Sequence, residues 1–388
     1  MNKQVKSVVV IMAATCLLGL VGCATSPTVP DPAASTSSVA SSVTSSVTST
    51  LPPPDPARER VPQDQRAKVA SLMVVGVTDF DDALAKLQQG AGGIFISSWA
   101  NTELLATPGR DIAELRRVMG RPFSVSIDFE GGRVQRHAEV LGSHASPREL
   151  ADTQSVDQVE EHAYHLGRTL REHGVTVDFA PVIDVDTAAL DVVGDRAFST
   201  DPTQAGEYGA AFARGLEAAG VTPVYKHFPG HGQASGDTHH ELATTPPLDQ
   251  LVGHDLVPYT IALREKNAAV MVGHMVVPGL GDALPASLNP AAYQLLRSGD
   301  YPGGIPYRGL IYTDDLSGMR AITDQHPLPL AVAMAIAAGA DQALFSSVSD
   351  FEEVISAVDA AVTTGQIPPQ QIEDSAYLVQ KQLLTSGV

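Results

Sequence analysis

Residues 173–179 read His-Gly-Val-Thr-Val-Asp-Phe, and this stretch joins the end of one helical segment to the start of one β-rich run. On its N-terminal side, a row of apolar residues from Val159 to Leu170 recurs on one face of an amphipathic helix. Glycine is the usual left-handed residue at the end of a helix, and Gly174 is followed at once by a β-branched run. The stretch is therefore interpreted as a helix–glycine–strand junction.

The same junction recurs at Gly220 and Gly339, so helices and strands alternate along the chain. Eight β-rich runs are found: Leu72–Val77, Gly93–Ser97, Phe123–Asp128, Thr176–Phe179, Thr222–Tyr225, Ala269–Val272, Leu310–Thr313 and Gln342–Phe345. Such alternation is typical of an α/β fold with a parallel sheet. Eight strands within residues 61–388 predict a single TIM-type (β/α)₈ barrel, although the pattern alone leaves a doubly wound open sheet as an alternative.

The sequence also predicts where several helices begin. Ser155 and Gln158 have the spacing of a capping box, and Asp201 stands before a proline at the first helical position. Ser349, with Glu352 three residues later, is predicted to open a further helix.

The N-terminal sixty residues are predicted to lie outside the barrel. Residues 1–22 combine two lysines with an apolar run that is too short for a membrane span, which indicates a signal peptide. Cys23 follows Leu-Val-Gly, as in a bacterial lipobox, and is predicted to carry lipid. Residues 23–60 are rich in Ser, Thr and Pro and are predicted to form a disordered tether. These features predict a protein anchored by lipid to the outer face of the cytoplasmic membrane.

The composition limits the possible partners. The chain has 44 acidic and 25 basic residues, a formal net charge of −19, which argues against nucleic acid or anionic lipid as a ligand. Membrane contact is expected through the lipid anchor only, and a monomer is the default expectation. Cys16 and Cys23 are the only cysteines, so the mature protein is expected to contain no disulfide.

Polar residues follow several of the predicted strands. Asp128 and Glu130 follow one strand, Asp184, Lys226 and His274 follow three others, and Asp314 and Asp315 follow another. The carboxyl ends of the strands meet on one face of a parallel barrel, where active sites are built. The sequence therefore predicts a polar pocket on that face.

The segment from Lys226 to His240 is the richest in chemistry. It reads Lys-His-Phe-Pro-Gly-His-Gly, four further residues, and then Asp-Thr-His-His. Asp237 and His239 are two residues apart, so the carboxylate could orient the imidazole for proton transfer. His240 is interpreted as a bystander and Asp315 as structural.

These motifs resemble those of family 3 glycoside hydrolases, in particular the single-domain β-N-acetylglucosaminidases of the NagZ type. The resemblance covers most of residues 65–385 and rests on six strings in order. They are residues 127–136 (Ile-Asp-Phe-Glu-Gly-Gly-Arg-Val-Gln-Arg), 179–182 (Phe-Ala-Pro-Val), 194–198 (Gly-Asp-Arg-Ala-Phe), 226–239, 285–288 (Pro-Ala-Ser-Leu) and 313–316 (Thr-Asp-Asp-Leu). One departure is Gly318, which stands where the family commonly has Met and puts the geometry of that loop in question.

The resemblance implies a retaining, exo-acting enzyme that removes terminal GlcNAc from peptidoglycan-derived cell-wall fragments by double displacement. It implies that Asp314 is the nucleophile, His239 the acid/base and Asp237 its partner. It also implies a set of residues that hold the terminal sugar: Asp128, Arg136, Arg196, Lys226 and His227. No metal or organic cofactor is implied.

Three alternatives stay open. A neutral imidazole repels anions less than a carboxylate does, so phosphate could replace water and make the protein a phosphorylase. A lipoprotein that binds cell-wall sugars without catalysis could use the same pocket. A metal-dependent hydrolase could use the histidines between His227 and His240, although most of them lie on a glycine-rich loop rather than on rigid elements.

Overall fold

Eight parallel strands close into a barrel in the computed structural model, which describes residues 55–265 and 267–388. The strands, numbered here as barrel strands, are β1 Met73–Gly76, β2 Gly93–Ile96, β3 Ser124–Ile127, β4 Val177–Asp178, β5 Thr222–Phe228, β6 Ala269–Val272, β7 Ile311–Thr313 and β8 Ala343–Phe345. Neighbours in sequence are neighbours in the sheet, and β8 pairs with β1. A parallel bridge between Tyr312 and Gln342 joins β7 to β8 and completes the ring.

The eight β-rich runs therefore all form strands, and the predicted barrel is confirmed. Most strands are shorter than predicted by a residue or two, whereas β5 continues to Phe228 and carries Lys226 and His227 on the strand itself. A two-stranded antiparallel hairpin, Phe129–Gly131 and Val134–Gln135, follows β3 and was not predicted. The hairpin matters because Glu130 lies on it.

Helices surround the barrel. They are α1 Pro56–Arg60, α2 Gln65–Ser71, α3 Phe80–Gln88, α4 Glu103–Ala106, α5 Ile112–Met119, α6 Ala138–Leu141, α7 Pro147–Thr153, α8 Val156–Glu172, α9 Pro202–Ala218, α10 Leu248–Leu251, α11 Val257–Ala262, α12 Pro290–Ser298, α13 Arg320–Thr323, α14 Leu328–Ala338, α15 Phe351–Thr363 and α16 Pro369–Thr385. Short 3₁₀ helices span Gly194–Arg196 and Ala286–Leu288.

The predicted helix starts are confirmed at two of three places. Ser155 and Gln158 form the reciprocal capping box of α8, and Asp201 caps α9 with its side chain. The prediction for Ser349 is wrong, because α15 starts after Asp350 and Ser349 donates its hydroxyl to the Asp350 carboxylate instead. At the other end of α8, Gly174 has φ +86°, the left-handed conformation that its place in the junction requires.

The folded domain starts earlier than predicted. Residues 56–60 belong to the predicted tether, yet they form α1, which Asp55 caps by accepting a hydrogen bond from the amide of Ala57 at 3.0 Å. Arg58 lies 4.5 Å from the ring centre of Tyr377 on α16, and Ala57 is buried. These contacts offset the conformational entropy that the segment loses when it becomes ordered.

The barrel core is apolar and partly aromatic. Phe95, Phe179 and Tyr312, from three different strands or strand ends, contact one another with ring centres 5.8 and 5.4 Å apart. These rings pack in the barrel interior, next to the carboxyl ends of the strands that carry the polar residues. Within residues 55–265 and 267–388, no helix is long and apolar enough to cross a membrane. The predicted signal segment, residues 1–22, and the lipidated Cys23 lie outside the described residues.

Candidate active site

One cavity of about 500 Å³ opens at the carboxyl ends of the strands. Its volume lies in the ordinary range for a small-molecule site. All eight residues predicted for catalysis or sugar binding line it: Asp128, Arg136, Arg196, Lys226, His227, Asp237, His239 and Asp314. They come from five separate parts of the chain, so the barrel, and not sequence proximity, brings them together.

Asp314 lies at the end of β7, where its amide donates to the carbonyl of Val272 on β6 at 3.0 Å. Its side chain is buried, with 7% exposed, and one oxygen accepts a hydrogen bond from the amide of Asp315 at 2.9 Å. Burial raises the pKa of this carboxyl, but the nearby His227 and His274 outweigh it and lower the pKa to about 2. The carboxylate is therefore ionised at neutral pH.

A buried carboxylate fixes His227. Asp184 accepts from His227 Nδ1 at 2.6 Å and from the amides of His227 and His231 at 3.2 and 2.8 Å. Burial raises the pKa of Asp184, and the charges and hydrogen bonds of the two histidines reverse this and lower it. Asp184 does not line the cavity, so it positions His227 without touching a ligand. His274 likewise lies outside the cavity, held between Ser287 and the carbonyl of Asp315 at 2.7 and 3.0 Å.

The charges at the floor of the cavity form one network around Glu130. Arg196 donates two parallel hydrogen bonds of 2.8 Å to Glu130, and Lys226 approaches the same carboxylate at 2.6 Å. Lys226 also donates to Asp128 at 3.0 Å. Burial raises the pKa of Glu130, but the two cations overcome it and hold the pKa far below its ordinary value. For Lys226, burial lowers the pKa, and Asp128 and Glu130 more than reverse this.

Glu130 therefore positions Arg196 and Lys226 and does not itself contact a ligand. It is absent from the cavity wall, whereas Arg196, Lys226 and Asp128 are part of it. Arg136 completes this side: its amide donates to the carbonyl of Asp128 at 3.1 Å, and its guanidinium lies 3.9 Å from the Asp128 carboxylate.

His239 lies at the rim of the cavity, with about half of its side chain exposed. Asp237 accepts hydrogen bonds from Nδ1 of His239 at 2.7 Å and from its amide at 2.9 Å. Burial raises the pKa of Asp237, and these two hydrogen bonds outweigh it and lower the pKa. With Nδ1 engaged by Asp237, Nε2 is the nitrogen left for a ligand.

The His239 loop contacts the segment that follows Asp315. The amide of Ala321 donates to the carbonyl of Thr238 at 3.2 Å, and the amide of Arg320 to that of His239 at 3.4 Å. Gly318, the departure from the family pattern, lies in this segment, and a Cβ there would be 2.4 Å from a carboxylate oxygen of Asp315. Glycine therefore lets the backbone approach Asp315 closely.

Asp315 lines the cavity beside Asp314, but its carboxylate is engaged by neighbouring residues, and its structural role stays a prediction. Its carboxylate accepts hydrogen bonds from the amide and hydroxyl of Ser317 at 2.9 and 2.8 Å, and from the amide of Ser346 at 2.9 Å. The Ser346 hydroxyl donates to its other oxygen. These bonds tie the ends of β7 and β8 together beside Asp314.

Sequence reasoning missed several wall residues, among them Trp99, Arg133, Asp191 and Met319. Arg133 lies in the quoted 127–136 string, but its contact with Asp195 at 2.6 Å could not be read from spacing. Trp99 could have been predicted to line the cavity, because it stands three residues after the carboxyl end of β2. Within the described ranges, no three His, Cys, Asp or Glu side chains are grouped so as to hold a metal ion.

Comparison with known proteins agrees with this geometry. Residues 65–381 match the glycosyl hydrolase family 3 N-terminal domain. The β-hexosaminidase LpqI of Mycobacterium tuberculosis (strain ATCC 25618 / H37Rv) is 46% identical over 318 residues, which is 81% of this chain and 81% of that protein.

Solved structures are similar as well. M. tuberculosis LpqI superposes with a TM-score of 0.81 at 43% identity, over 85% of this chain and 96% of its own. A family 3 glycosyl hydrolase from Mycobacterium smegmatis gives 0.80 at 48% identity, over 82% and 97%. A family 3 β-N-acetylglucosaminidase from Paenibacillus gives 0.78 at 28% identity, over 84% and 63%. The chain therefore belongs to glycosyl hydrolase family 3, among relatives named β-hexosaminidases.

Proposed function

We propose that this glycoside hydrolase is a retaining exo-β-N-acetylglucosaminidase with Asp314 as nucleophile and His239 as acid/base. The observation that carries the proposal is the pairing of the two groups in one cavity: Asp314 is buried and ionised at the floor, while His239 lies at the rim with Nε2 free. Relatives named β-hexosaminidases and β-N-acetylglucosaminidases support the choice of sugar.

In the first half-reaction, a carboxylate oxygen of Asp314 attacks the anomeric carbon as the bond from that carbon to the leaving oxygen breaks. His239 Nε2 gives its proton to the leaving oxygen, and Asp237 stabilises the imidazolium through Nδ1. In the second half-reaction, water attacks the same carbon, its proton passes to Nε2, and the bond to Asp314 breaks. Two inversions leave the configuration retained.

The buried network holds the terminal sugar. Lys226, Arg196 and Asp128 present donors and acceptors at the closed end of the cavity, and Glu130 fixes the two cations from behind. A cavity that is closed by the barrel strands accepts a chain end rather than the middle of a polymer, which favours exo action. Because the groups are held before the sugar binds, little ordering is needed on binding.

The substrate proposed for the cell is a fragment of peptidoglycan that ends in GlcNAc. This proposal rests on the predicted anchor at Cys23, which would hold the enzyme at the outer face of the cytoplasmic membrane. The acceptor is the point at which hydrolysis and phosphorolysis differ. With His239 as the acid/base, the nearest carboxylate is Asp237, on the far side of the imidazole, so repulsion of an incoming phosphate is weaker than from an acid/base carboxylate and both acceptors are to be tested.

The test is release of nitrophenol from 4-nitrophenyl β-N-acetylglucosaminide, with and without phosphate. Asp314→Asn should abolish release, and Asp374→Asn, which changes an exposed aspartate on α16, should leave it unchanged. A 5-fluoro-N-acetylglucosaminyl fluoride should add its glycosyl mass to the peptide that contains Asp314. A faster reaction with GlcNAc-1-phosphate as product would make the enzyme a phosphorylase. Sugar binding without turnover by the wild type would make the protein a sugar-binding lipoprotein.

A further inference from the structure

We infer that Trp99 is the platform of an acceptor-side subsite, which stacks on the sugar ring joined to the terminal GlcNAc through the bond that is cleaved. This inference rests on the proposed function and adds to it the residue that binds the sugar ring of the leaving group. It makes Trp99 a specificity-determining residue, distinct from the groups that hold the terminal sugar.

Trp99 is the most exposed large apolar residue in the described ranges. It is the single tryptophan of the chain, and 56% of it is exposed. Four other large apolar residues are comparably exposed within the described ranges (Val118, Leu242, Leu330 and Val348), and none of them lines the cavity. A single exposed apolar residue is ordinary on a protein surface, but an aromatic face on the wall of a ligand cavity is typical of a binding surface.

The turn that carries Trp99 is fixed to the barrel. The amide of Ala100 donates to the carbonyl of Ser97 at 3.1 Å, and the same carbonyl is 2.8 Å from Nε2 of the buried His137. The amide of Asn101 donates to the carbonyl of Thr78 at 2.6 Å. Ala100, next to the tryptophan, is itself buried. The indole is therefore presented from an anchored turn, which reduces the entropy cost of stacking.

The position of His239 assigns Trp99 to the acceptor side. The proton donor must lie beside the leaving oxygen, and His239 lies at the rim with about half of its side chain exposed. Asp314 and the Lys226 network lie at the buried end, where the terminal sugar would be. The leaving group therefore extends from the buried end past His239 toward the opening. Trp99 lines the same cavity and is 56% exposed, which assigns it to this open side rather than to the buried end.

The chemistry of the platform suits a pyranose. One face of a β-linked sugar ring presents axial C–H groups, which pack on an indole face, while the hydroxyls at its edge stay in water. Aromatic contacts of this kind contribute enough to change an affinity about tenfold. A small leaving group without a ring would gain nothing from Trp99.

The experiment compares two substrates that share the terminal sugar. Chitobiose has a sugar ring as leaving group, and N-acetylglucosaminyl β-fluoride has none. In Trp99→Ala, kcat/KM for chitobiose should fall about tenfold, mainly through KM, while kcat/KM for the fluoride stays within about twofold. Trp99→Phe should recover most of the loss. Leu330→Ala, which removes an exposed apolar side chain outside the cavity, should change neither value.

A second measurement uses the single tryptophan as its own reporter. In the Asp314→Asn variant, chitobiose should shift the emission of Trp99, and GlcNAc alone should not. An equal loss on both substrates in Trp99→Ala, or no loss on either, overturns the platform. If the wild type does not cleave the fluoride, the proposed function has failed. The emission titration still decides the subsite in that case, and an unshifted emission with chitobiose overturns it.

Discussion

Replacing Glu130 with glutamine should destabilise the protein by about 3 kcal/mol. Removing one partner of a buried ion pair costs about 3–5 kcal/mol, because the other charge is left unpaired in the interior. Here two cations are affected. Each of them keeps one partner, Lys226 the carboxylate of Asp128 at 3.0 Å and Arg196 the carbonyl of Val192 at 2.8 Å, and this favours the lower end of that range. The N–H donors of a glutamine amide would face the two cations, which raises the cost and keeps it within that range.

The assay is urea unfolding of the purified protein, followed by circular dichroism between pH 3 and pH 8. The native Glu130 has a pKa far below its ordinary value of 4.5, so its contribution is complete above pH 4.5. Below that pH the unfolded carboxyl takes up a proton that the native one does not accept, and the contribution is lost as pH falls toward the native pKa. The penalty of Glu130→Gln should therefore be constant at neutral pH and shrink in acid.

The matched control is Glu172→Gln on α8. Glu172 pairs with Arg168 at 2.9 Å, but both side chains are exposed, so no measurable change is expected. Activity provides a second measurement, since unfixed Arg196 and Lys226 should raise KM for the chromogenic substrate. A loss in the free energy of unfolding below about 1 kcal/mol, independent of pH, would refute the reasoning about the network.

Three further predictions concern the rest of the site. Asp237→Asn should lower kcat/KM for chitobiose by about 100-fold, and much less for the β-fluoride, whose leaving group needs no proton; equal losses would contradict the role of the dyad. Because His227 and His274 outweigh burial and hold the pKa of Asp314 at about 2, its carboxylate stays ionised above this pH. The rate of labelling by the 5-fluoro donor should then be flat from pH 4 to pH 8, and a fall below pH 5 would count against this. Gly232→Ala would place a Cβ 1.9 Å from the carbonyl oxygen of Val185 and should abolish activity, whereas Gly253→Ala, whose nearest contact is 3.9 Å, should not; unchanged activity in Gly232→Ala would show that the loop can move.

Local signals in the sequence were reliable for elements of the fold. The glycine after α8 marks the end of a helix because an L-residue with a side chain rarely adopts the left-handed conformation seen at Gly174. Ser155 could be interpreted for a similar reason, since a capping box involves only residues three positions apart. Eight β-rich runs, with this junction at three places, left few topologies, and the closed barrel was among them.

Residues 56–60 were predicted to belong to the tether, although Asp55-Pro56 is the same local signal as the Asp201-Pro202 that opens α9. Arg58 packs over Tyr377 on α16, and this long-range contact holds α1 against the other end of the described chain. Ser349 has the right spacing for a cap, but the left-handed Asp350 begins the helix one residue later. Residue spacing alone contains neither the left-handed backbone of Asp350 nor the contact of Arg58 with Tyr377.

The sequence by itself determined the chemical groups of the site and the face of the barrel on which they lie. Parallel strands bring their carboxyl ends together, so residues such as Asp314 and Lys226 had to meet. Only the tertiary structure decided their partners. Glu130 pairs with Arg196 across 66 residues, and Trp99 reaches the same cavity from another strand. Pairing and burial depend on distances between segments remote in sequence, and the closure of the barrel is what sets those distances.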